Sequence, residues 1–447
     1  MPSTSADILE LIAGYVSCPF TLLALLELLP LQALSRPFQC LRRLAGTVPV
    51  ARLWPELSYA AVAAEADTFV LGMVWLKRVH VLRLDIWPRP EHISILSHLP
   101  MTLSIAVPVP IEFASTWRGR QLEACALNVR RGDKEAHLEA VAAWIQSAPQ
   151  LRRLRLSFDS AAATPATEAL VRAICSLKAL TSLHLDVFWL DTCPPFVLQQ
   201  LLRWLGRHRA IDVGFGDLRG STALARALHA SRSVQSVTLS HTEHMTSVYL
   251  DAPLPTHLRR LTLTSRRLPY ARRLASALLG ARLTHLALRL EAVQETDLVD
   301  VIASIASLSH LESLHIKARP LQPATADVLA ATVAGLPRLR AFKFDCWPGF
   351  LDSVLYLRLA AVVPRCLVLH SLVLRDVRWS AEGLGRWRDA LATSPNVRHL
   401  CVRRGKFAAH WDDAPTSVCC HVVTAPCHLV DTEWGVSPKK LGALGFL

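Results

Sequence analysis

Apolar residues recur along the chain in one pattern, apolar-x-x-apolar-x-apolar, which first appears clearly as LRRLRL at residues 151–156. It returns as LTSLHL at 180, VQSVTL at 234, LRRLTL at 258, LTHLAL at 283, LESLHI at 311, LRAFKF at 339, LHSLVL at 369 and VRHLCV at 397. A degenerate copy, HRAIDV, is placed at His208, so that successive repeats start 24 to 30 residues apart. A fixed period in this range predicts a solenoid built from one supersecondary unit.

Each repeat changes its hydrophobic period halfway along. Leu154, Leu156 and Phe158 alternate as in a short strand, whereas Leu298, Val301 and Ile305 recur at helical spacing. Strands joined through helices in one repeated sense lie parallel. Because strands sit about 4.8 Å apart and packed helices about 8 to 10 Å, we expect a curved stack with the sheet on its concave side.

The LxxLxL skeleton, the period near 28 and the single helix per repeat resemble leucine-rich repeats of the ribonuclease-inhibitor type, over roughly residues 75–405. The fold expected is therefore an α/β leucine-rich-repeat horseshoe with convex helices. Weaker repeats precede Leu151 at 79–84, 101–105 and 122–127. That family usually has asparagine or cysteine three residues after the last leucine, and this chain instead has residues such as Asp159, Phe188 and Thr242. We expect the turns to close without that side-chain ladder.

The first 45 residues predict three short helices. DILELIAGYV at 7–16 has helical periodicity, TLLALLELLP ends at Pro30, and PFQCLRRLA follows at 37–45. This order resembles an F-box, although Ser5 and Ala6 replace the usual leucine-proline pair. The resemblance implies docking onto the adaptor of a cullin-type ubiquitin ligase through Ile8, Leu9, Leu11, Ile12, Tyr15, Val16, Pro19, Leu22 and Leu25. The alternative is a cap on the open end of the solenoid.

Four segments follow from these patterns. They are an F-box-like helical module or cap at 1–45, irregular repeats at 46–150, regular repeats at 151–405 and a terminal cap or tail at 406–447.

The residues between the leucines should face the concave side, where a partner would bind. Those predicted to bind it are Arg83, Arg153, Arg155, His184, Arg260, Arg289, His315, Lys317, Lys343, Arg375 and Arg403. Asp85, Asp186, Asp212 and Asp345 lie among them. The surface is mixed but net positive, which favours an acidic or phosphorylated protein segment. The competing explanation is that outward positions of any sheet are polar and that arginine is common here.

The formal charge of +13 also fits nucleic acid. However, the outward columns lack the aromatic residues on which single-stranded bases would stack, so protein is the favoured partner. The resemblance of DILELIAGYV and the following helices to an F-box, ahead of these repeats, implies a protein-interaction subunit that recognises the substrate of an F-box ubiquitin ligase. A free-standing repeat scaffold or inhibitor is the alternative, nucleic-acid binding ranks third, and an enzyme ranks last.

Catalytic and metal-binding motifs are not evident. The chain has no glycine-rich phosphate loop, HExxH or GxSxG, and the spacing of Cys419, Cys420, His421, Cys427 and His428 is poor for zinc. We expect no cofactor and no metal.

The compartment predicted is intracellular, either cytoplasm or nucleus. Asp7 and Glu10 lie where a secretory signal would be basic, and the early apolar runs are too short to span a membrane. The 11 cysteines are odd in number and scattered, as is typical of reduced thiols.

Overall fold

A computed structural model describes residues 19–423 apart from 55, 80, 97, 100, 106–121, 130–134, 159–163, 188–192, 208, 219–220, 265–270, 291–292, 347–352, 376–377, 380, 395, 398, 404–405 and 408–418. Strands and helices alternate along it, as the switching hydrophobic period predicts. The helices are α1 Pro19–Glu27, α2 Arg36–Ala45, α3 Tyr59–Val62, α4 Ala66–Val79, α5 Pro90–Leu96, α6 Glu135–Gln146, α7 Pro165–Ser176, α8 Pro195–Gly206, α9 Thr222–Ala230, α10 Glu243–Tyr249, α11 Ala271–Leu278, α12 Glu295–Ile305, α13 Pro323–Gly335, α14 Ser353–Val362 and α15 Ala381–Thr393.

The strands are short, as expected where one strand serves one repeat. They are β1 Leu57–Ser58, β2 Val81–Leu84, β3 Met101–Ile105, β4 Leu122–Val129, β5 Arg153–Phe158, β6 Ser182–Val187, β7 Asp212–Gly216, β8 Ser236–Ser240, β9 Arg260–Thr264, β10 His285–Leu290, β11 Ser313–Ala318, β12 Ala341–Cys346, β13 Ser371–Arg375, β14 Arg378–Trp379, β15 His399–Arg403, β16 Lys406–Phe407 and β17 Cys419–Val423. Single 3₁₀ turns occur at Leu31–Ala33, Val50–Arg52 and Val363–Arg365.

Two compact units divide the described chain. The first holds the residues up to β6 together with Pro194–Gln200, and the second holds Cys193 and the residues from Leu201 onward. In the first unit β1 to β6 pair in sequence order, every pair parallel. The division of the sequence into four segments stays a prediction.

The second unit has the same architecture. Strands β7 to β13 pair in order and in parallel, followed by β15 and β17. Strands β14 and β16 form a separate parallel pair. The parallel sheet and the alternating helices confirm an α/β leucine-rich-repeat solenoid.

The leucines of the skeleton form the core in both units. Leu154, Leu156 and Leu183 are fully buried or nearly so, and the helical residues Val301 and Ile305 are fully buried. Each strand places these residues directly beside their counterparts in the next repeat, as Leu154 pairs with Leu183. Burying a leucine contributes roughly 1.5–3 kcal/mol, so a column repeated in every unit is the main source of stability.

One predicted repeat start is wrong. Asp212 of β7 pairs with Ser236, the third residue of VQSVTL, so the repeat begins at Ala210 and not at His208. In this register Val213 and Phe215 fill the leucine positions and are buried, whereas Ile211 is exposed. Because the repeat pattern is degenerate in this segment, the predicted start lies two residues before the start that the strand pairing gives.

The solenoid extends beyond the predicted limits of 75 and 405. At one end β1 joins β2 with Leu57 beside Leu82, both fully buried. At the other end β17 pairs in parallel with β15.

A backbone ladder links consecutive repeats just before their strands, at the opposite end from the family's side-chain ladder. In most of the described repeats the N–H of the second residue donates to the C=O of the second residue of the preceding repeat. Examples are Arg152 to Glu123 at 2.8 Å, Thr284 to Arg259 at 2.8 Å and Arg340 to Glu312 at 2.8 Å. The turns before the strands therefore close through the main chain, which requires no particular side chain.

Two predicted N-terminal helices are confirmed, as α1 and α2, and the stretch 7–16 lies outside the described residues. Helix α2 begins with Pro37 in its first turn, where a missing N–H costs nothing. Helices α3 and α4 were not predicted. Within the described residues, no helix combines the length and apolar character required to cross a membrane.

Candidate protein-binding surface

The side chains opposite the core in each strand form the candidate surface. They occupy the third, fifth and seventh positions of each repeat, because successive residues of a strand point to opposite faces. We call them the outward positions. Within each unit, cross-strand registers align them repeat by repeat in three parallel rows.

In the first unit the outward positions carry spaced charges. Arg153 is exposed and lies between Ala124 and Ser182, while the half-buried Arg155 has Ala126 on one side and His184 on the other. Arg83 is half-buried and pairs with Ser104 and Ser58. The cross-strand neighbours of these arginines are alanine, serine and histidine, so none of the three is paired with another arginine.

Asp85 has a structural role in the first unit. Its carboxylate accepts hydrogen bonds from the Ser58 hydroxyl at 2.5 Å and from the Ala60 N–H at 2.9 Å, at the start of α3. This acid anchors a helix start in addition to contributing charge to the surface.

The second unit carries a much stronger positive charge. In β9 to β12 the basic outward residues are Arg260, Arg289, Lys317 and Lys343, with Asp345, His285 and His315 among them. The backbones of Arg375 and Arg403 continue this register on β13 and β15, and the predicted side-chain positions of these two residues lie outside the described part of the structure. Strands β7 to β9, in contrast, present Gly214, Thr238 and Thr262 in their middle row.

The charge concentrates in one row at the carboxyl ends of five strands. Cross-strand pairing brings Arg289 beside Lys317, Lys317 beside Asp345, Asp345 beside Arg375, and Arg375 beside Arg403. We call these five residues the basic row. Like charges directly opposite each other across strands are unfavourable, and the row contains two such pairs.

Asp345 is engaged inside the chain. Its Oδ2 lies 3.0 Å from His315 Nε2 and 3.7 Å from Lys343 Nζ. The three residues are buried, with Lys343 only 3% exposed. Both side chains therefore lie in an internal charge cluster, and contact of Lys343 and His315 with a partner stays a prediction that their burial does not favour.

His285 is the first residue of β10 and Arg260 is the first residue of β9, and the two are paired across these strands. Burial lowers the pKa of His285, the Arg260 charge lowers it further, and Glu312 opposes both. The imidazole is consequently neutral at physiological pH and adds a hydrogen-bonding group to the surface rather than a charge.

The F-box-like residues are only partly placed by the structure. Ile8, Leu9, Leu11, Ile12, Tyr15 and Val16 lie outside the described residues. Pro19 begins α1, Leu22 is fully buried and Leu25 is half-buried. Leu22 belongs to the chain's own core and is not available for docking.

Leu28, directly after α1, was not singled out from the sequence, although 80% of it is exposed. The helical stripe that buries Leu22 and Leu26 leaves Leu28 on another side, and that spacing was the available signal.

In the described part of the chain, the cysteines and the other possible metal ligands are poorly placed for thiol or metal chemistry. No group of three His, Cys, Asp or Glu residues there is arranged to hold a metal ion. Cys40, Cys125, Cys175, Cys193, Cys346 and Cys366 are buried. Burial raises the pKa of Cys193 to about 12 and that of Cys366 to about 11, so both thiols stay protonated and are poor nucleophiles.

Comparisons with known proteins include two solved structures that are similar to this chain. No protein-family model and no curated protein matches the sequence. The fold is similar to that in the crystal structure of the Rad7 and Elc1 complex in yeast, at a TM-score of 0.48 and 14% identity over 94% of this chain and 98% of that one. It is also similar to the TLR13–ssRNA13 complex, at a TM-score of 0.29 and 12% identity, over 78% of this chain but only 49% of the TLR13 chain. Similarities this distant do not bear on function, and the class that the fold defines is the leucine-rich-repeat solenoid.

Proposed function

We propose that this protein is an interaction subunit that binds an acidic segment of another protein through the outward positions of its second unit. The observation that carries the proposal is the composition of strands β9 to β13 and β15, where Arg260, Arg289, Lys317, Arg375 and Arg403 stand in the register of the outward positions and the buried Lys343 is offset by Asp345. Positive surfaces steer and hold acidic partners.

The charge cluster strengthens this argument. Asp345 already lies against Lys343 and His315, so its carboxylate is largely balanced within the chain. The remaining basic residues of the surface therefore dominate its field. A partner that supplies carboxylates or phosphate groups would relieve the repulsion between the adjacent like charges.

The test is direct binding of a fluorescein-labelled oligoglutamate peptide, followed by anisotropy at rising salt. We expect Lys317→Glu to weaken binding at least tenfold, while Arg153→Glu, a charge reversal on the first unit, changes it little. Affinity should fall as salt rises, because the contacts are between charges at a solvated surface. Absence of binding at low salt, or equal losses in both variants, would overturn the proposal.

A labelled single-stranded oligonucleotide of matched charge serves as the competing probe. The outward positions of β9 to β13 and β15 contain no aromatic residue for stacking, so we expect it to bind more weakly than the peptide. Tighter binding of the oligonucleotide would favour a nucleic-acid partner instead.

A finer role, as substrate-recognition subunit of an F-box type ubiquitin ligase, is a second proposal. It is favoured by the helices that precede the first repeat and by the exposed Leu28 beside them. A free-standing scaffold or inhibitor, in which these helices only cap the solenoid, is the alternative.

Co-purification with the cullin-ligase adaptor distinguishes these two roles. We expect capture by the unaltered protein, and loss of capture with Leu28→Glu or Leu9→Glu. Leu367→Glu is the matched control, because Leu367 is also highly exposed but lies in the second unit. Failure of the unaltered protein to capture the adaptor would leave the scaffold role. That the protein is no enzyme and lies in the cytoplasm or nucleus stays a prediction.

A further inference from the structure

The connections from each helix to the next strand lie at one edge of the second unit. Because β7 to β13 are parallel and in register, their first residues stand side by side at that edge. Backbone hydrogen bonds of 2.7 to 2.8 Å link the residues that precede these strands, which are Ile211, Gln235, Arg259, Thr284, Glu312, Arg340 and His370. We call residues 209–211, 231–235, 250–259, 279–284, 306–312, 336–340 and 363–370 the amino edge. The hydrogen bonds fix the spacing of the side chains along it.

Arginine is the main charged residue of the amino edge. The exposed arginines in the connections to β8, β9, β10, β12 and β13 are Arg232, Arg259, Arg282, Arg338, Arg340 and Arg365. Within the described residues, none of these six forms an ion pair. Arg259 donates a hydrogen bond of 3.2 Å to the Arg282 carbonyl, and Arg338 Nη1 lies 3.4 Å from His310 Nδ1. Most of the guanidinium N–H groups are therefore available to a ligand.

Acidic residues do not balance these arginines. In the connections to β7 to β13 the acids are Asp251 and Glu312. Asp251 lies 2.5 Å from the Arg273 guanidinium of α11, and Glu312 is half-buried. The amino edge consequently has a net positive charge.

The amino edge also exposes large aliphatic side chains. Within the described part of the second unit, the exposed large apolar residues are Ile211 at 45%, Leu279 at 58% and Leu367 at 72%, and all three lie on this edge. They belong to the connections to β7, β10 and β13, which are three strands apart, or about 14 Å at each step. Arginines occupy connections between them, so that apolar and cationic side chains alternate along the edge.

This alternation discriminates between the possible ligands. The core of a protein interface is a contiguous apolar patch within a polar rim, whereas the aliphatic side chains here are separated. Nucleic acid offers phosphates, but its bases stack on aromatic rings, which leucine and isoleucine cannot replace. An anionic membrane surface accepts both groups, because aliphatic side chains enter the boundary between head groups and acyl chains while arginines bind lipid phosphates.

We propose that the amino edge of the second unit binds the surface of a membrane that contains anionic phospholipids. Arg282 and Arg340 contact lipid phosphates, and Leu279 and Leu367 insert among the head groups. This inference goes beyond the proposed function, since the amino edge is separate from the outward positions of the strands.

Vesicle flotation with the full chain tests the proposal. Phosphatidylcholine vesicles with and without phosphatidylserine are compared, and the bound fraction is measured as the lipid concentration rises. The charge variant is Arg282→Glu with Arg340→Glu, and the apolar variant is Leu279→Ser with Leu367→Ser. Circular dichroism of each variant checks that it is folded.

The matched control is Arg226→Glu with Arg319→Glu. It makes the same change of charge at two exposed arginines of the second unit, one on α9 and one directly after β11 at the opposite edge of the sheet. Because neither lies on the amino edge, the control should bind vesicles as the unaltered protein does.

We expect the unaltered protein to bind the vesicles that contain phosphatidylserine, and the charge variant to bind them at least about tenfold more weakly. The apolar variant should bind about fivefold more weakly or less, because it buries less apolar surface, and should keep its preference for phosphatidylserine. Arg340→Gln is the milder variant if the double charge variant fails to fold, and it should weaken binding about threefold or more.

Equal losses in the charge variant and its control would show an attraction that depends on net charge alone, and would overturn the proposal. Equal binding to the two kinds of vesicle, or no binding to either, would also overturn it. If vesicles do not bind but the charge variant weakens binding of the oligoglutamate peptide, the ligand of the amino edge is an acidic protein instead. Failure of that peptide to bind contradicts the proposed function alone, since the vesicle assay does not depend on it.

Discussion

At the scale of single residues, the environment of a charged side chain depends on its neighbours on the same strand and on the adjacent strand. Lys343 and Lys317 both occupy outward positions, yet Lys343 is buried beside Asp345 while Lys317 is partly exposed. A buried ion pair is costly to break, because removing one partner leaves the other charge in a poorly solvated site.

Asp345→Asn should therefore destabilise the protein by about 3 kcal/mol. Lys343 would keep its charge and its burial but lose the carboxylate at 3.7 Å. Urea denaturation measures the loss, and the double variant with Lys343→Met should be more stable than the single one. Additive effects of the two substitutions would contradict the coupling.

His92 provides a pH-dependent contribution to stability. Its ring stacks on Phe69 at 3.6 Å between centroids, and its Nδ1 lies 2.7 Å from the Tyr59 hydroxyl. Burial lowers the pKa of His92, the Arg89 charge lowers it further, and Glu91 opposes both. In the unfolded chain the pKa of His92 keeps its ordinary value of about 6.5. Below that pH the unfolded chain therefore binds a proton at His92 more readily than the folded chain does.

Stability should accordingly fall as the pH drops from about 7.5 to about 5.5, since protons bind preferentially to the unfolded chain. We expect His92→Phe to reduce this loss, measured as the change in melting temperature across the range. His285 shifts in the same direction, so a part of the loss should persist. An unchanged pH profile in His92→Phe would show that this histidine is not responsible.

At the scale of elements, the close packing of two helices depends on a glycine. Gly383 in α15 is buried, and a Cβ placed on it would lie 2.5 Å from the Tyr356 hydroxyl of α14. Tyr356 is itself fully buried, so that it has little freedom to move aside. The close approach of α14 and α15 therefore requires glycine at 383.

Gly383→Ala should destabilise the protein by about 1 kcal/mol or more, because the added methyl group overpacks the core. Gly385→Ala, two residues further along the same helix, is the matched control. Its Cβ would meet nothing within 4 Å, and alanine favours helix by up to about 1 kcal/mol over glycine. Opposite signs in thermal denaturation are expected, and equal effects would contradict the packing.

At the scale of the whole molecule, the N-terminal helices are part of the repeat core. Phe38 of α2 lies 5.6 Å from Trp75 of α4 between ring centroids, and Leu41 and Leu44 are fully buried. Trp75 donates a 2.8 Å hydrogen bond to the Leu53 carbonyl, which ties α4 to the segment before β1. These contacts indicate that residues 36–45 cover the first repeat, whatever the preceding segment binds.

Phe38→Ala should therefore lower the free energy of unfolding by about 3 kcal/mol, as is typical of an aromatic residue removed from a core. Leu28→Ala should leave it almost unchanged, because that side chain is exposed. Urea denaturation of both variants checks this. A stable Phe38→Ala variant would show that the helices dock independently of the solenoid.

The difference between an outward position in a strand and an exposed side chain explains how much of the candidate site could be predicted from the sequence. The outward positions of regular repeats such as Arg153 and Arg289 follow directly from the LxxLxL pattern, because alternation is a property of every strand. Whether such a residue is available to a partner does not follow. Lys343 and His315 show this, since both are buried and both lie against Asp345, which is on the strand of Lys343 and on the strand next to that of His315.

The sequence by itself determined the repeat, the parallel strands and the helix positions. A solenoid repeat needs only its neighbours to bury its leucines, so that a local period is sufficient. The tertiary structure alone decided the start of the repeat at Ala210, the charge cluster at Asp345 and the contact of Phe38 with Trp75. Each of these depends on which side chains meet across repeats or helices, and spacing along the chain does not specify that.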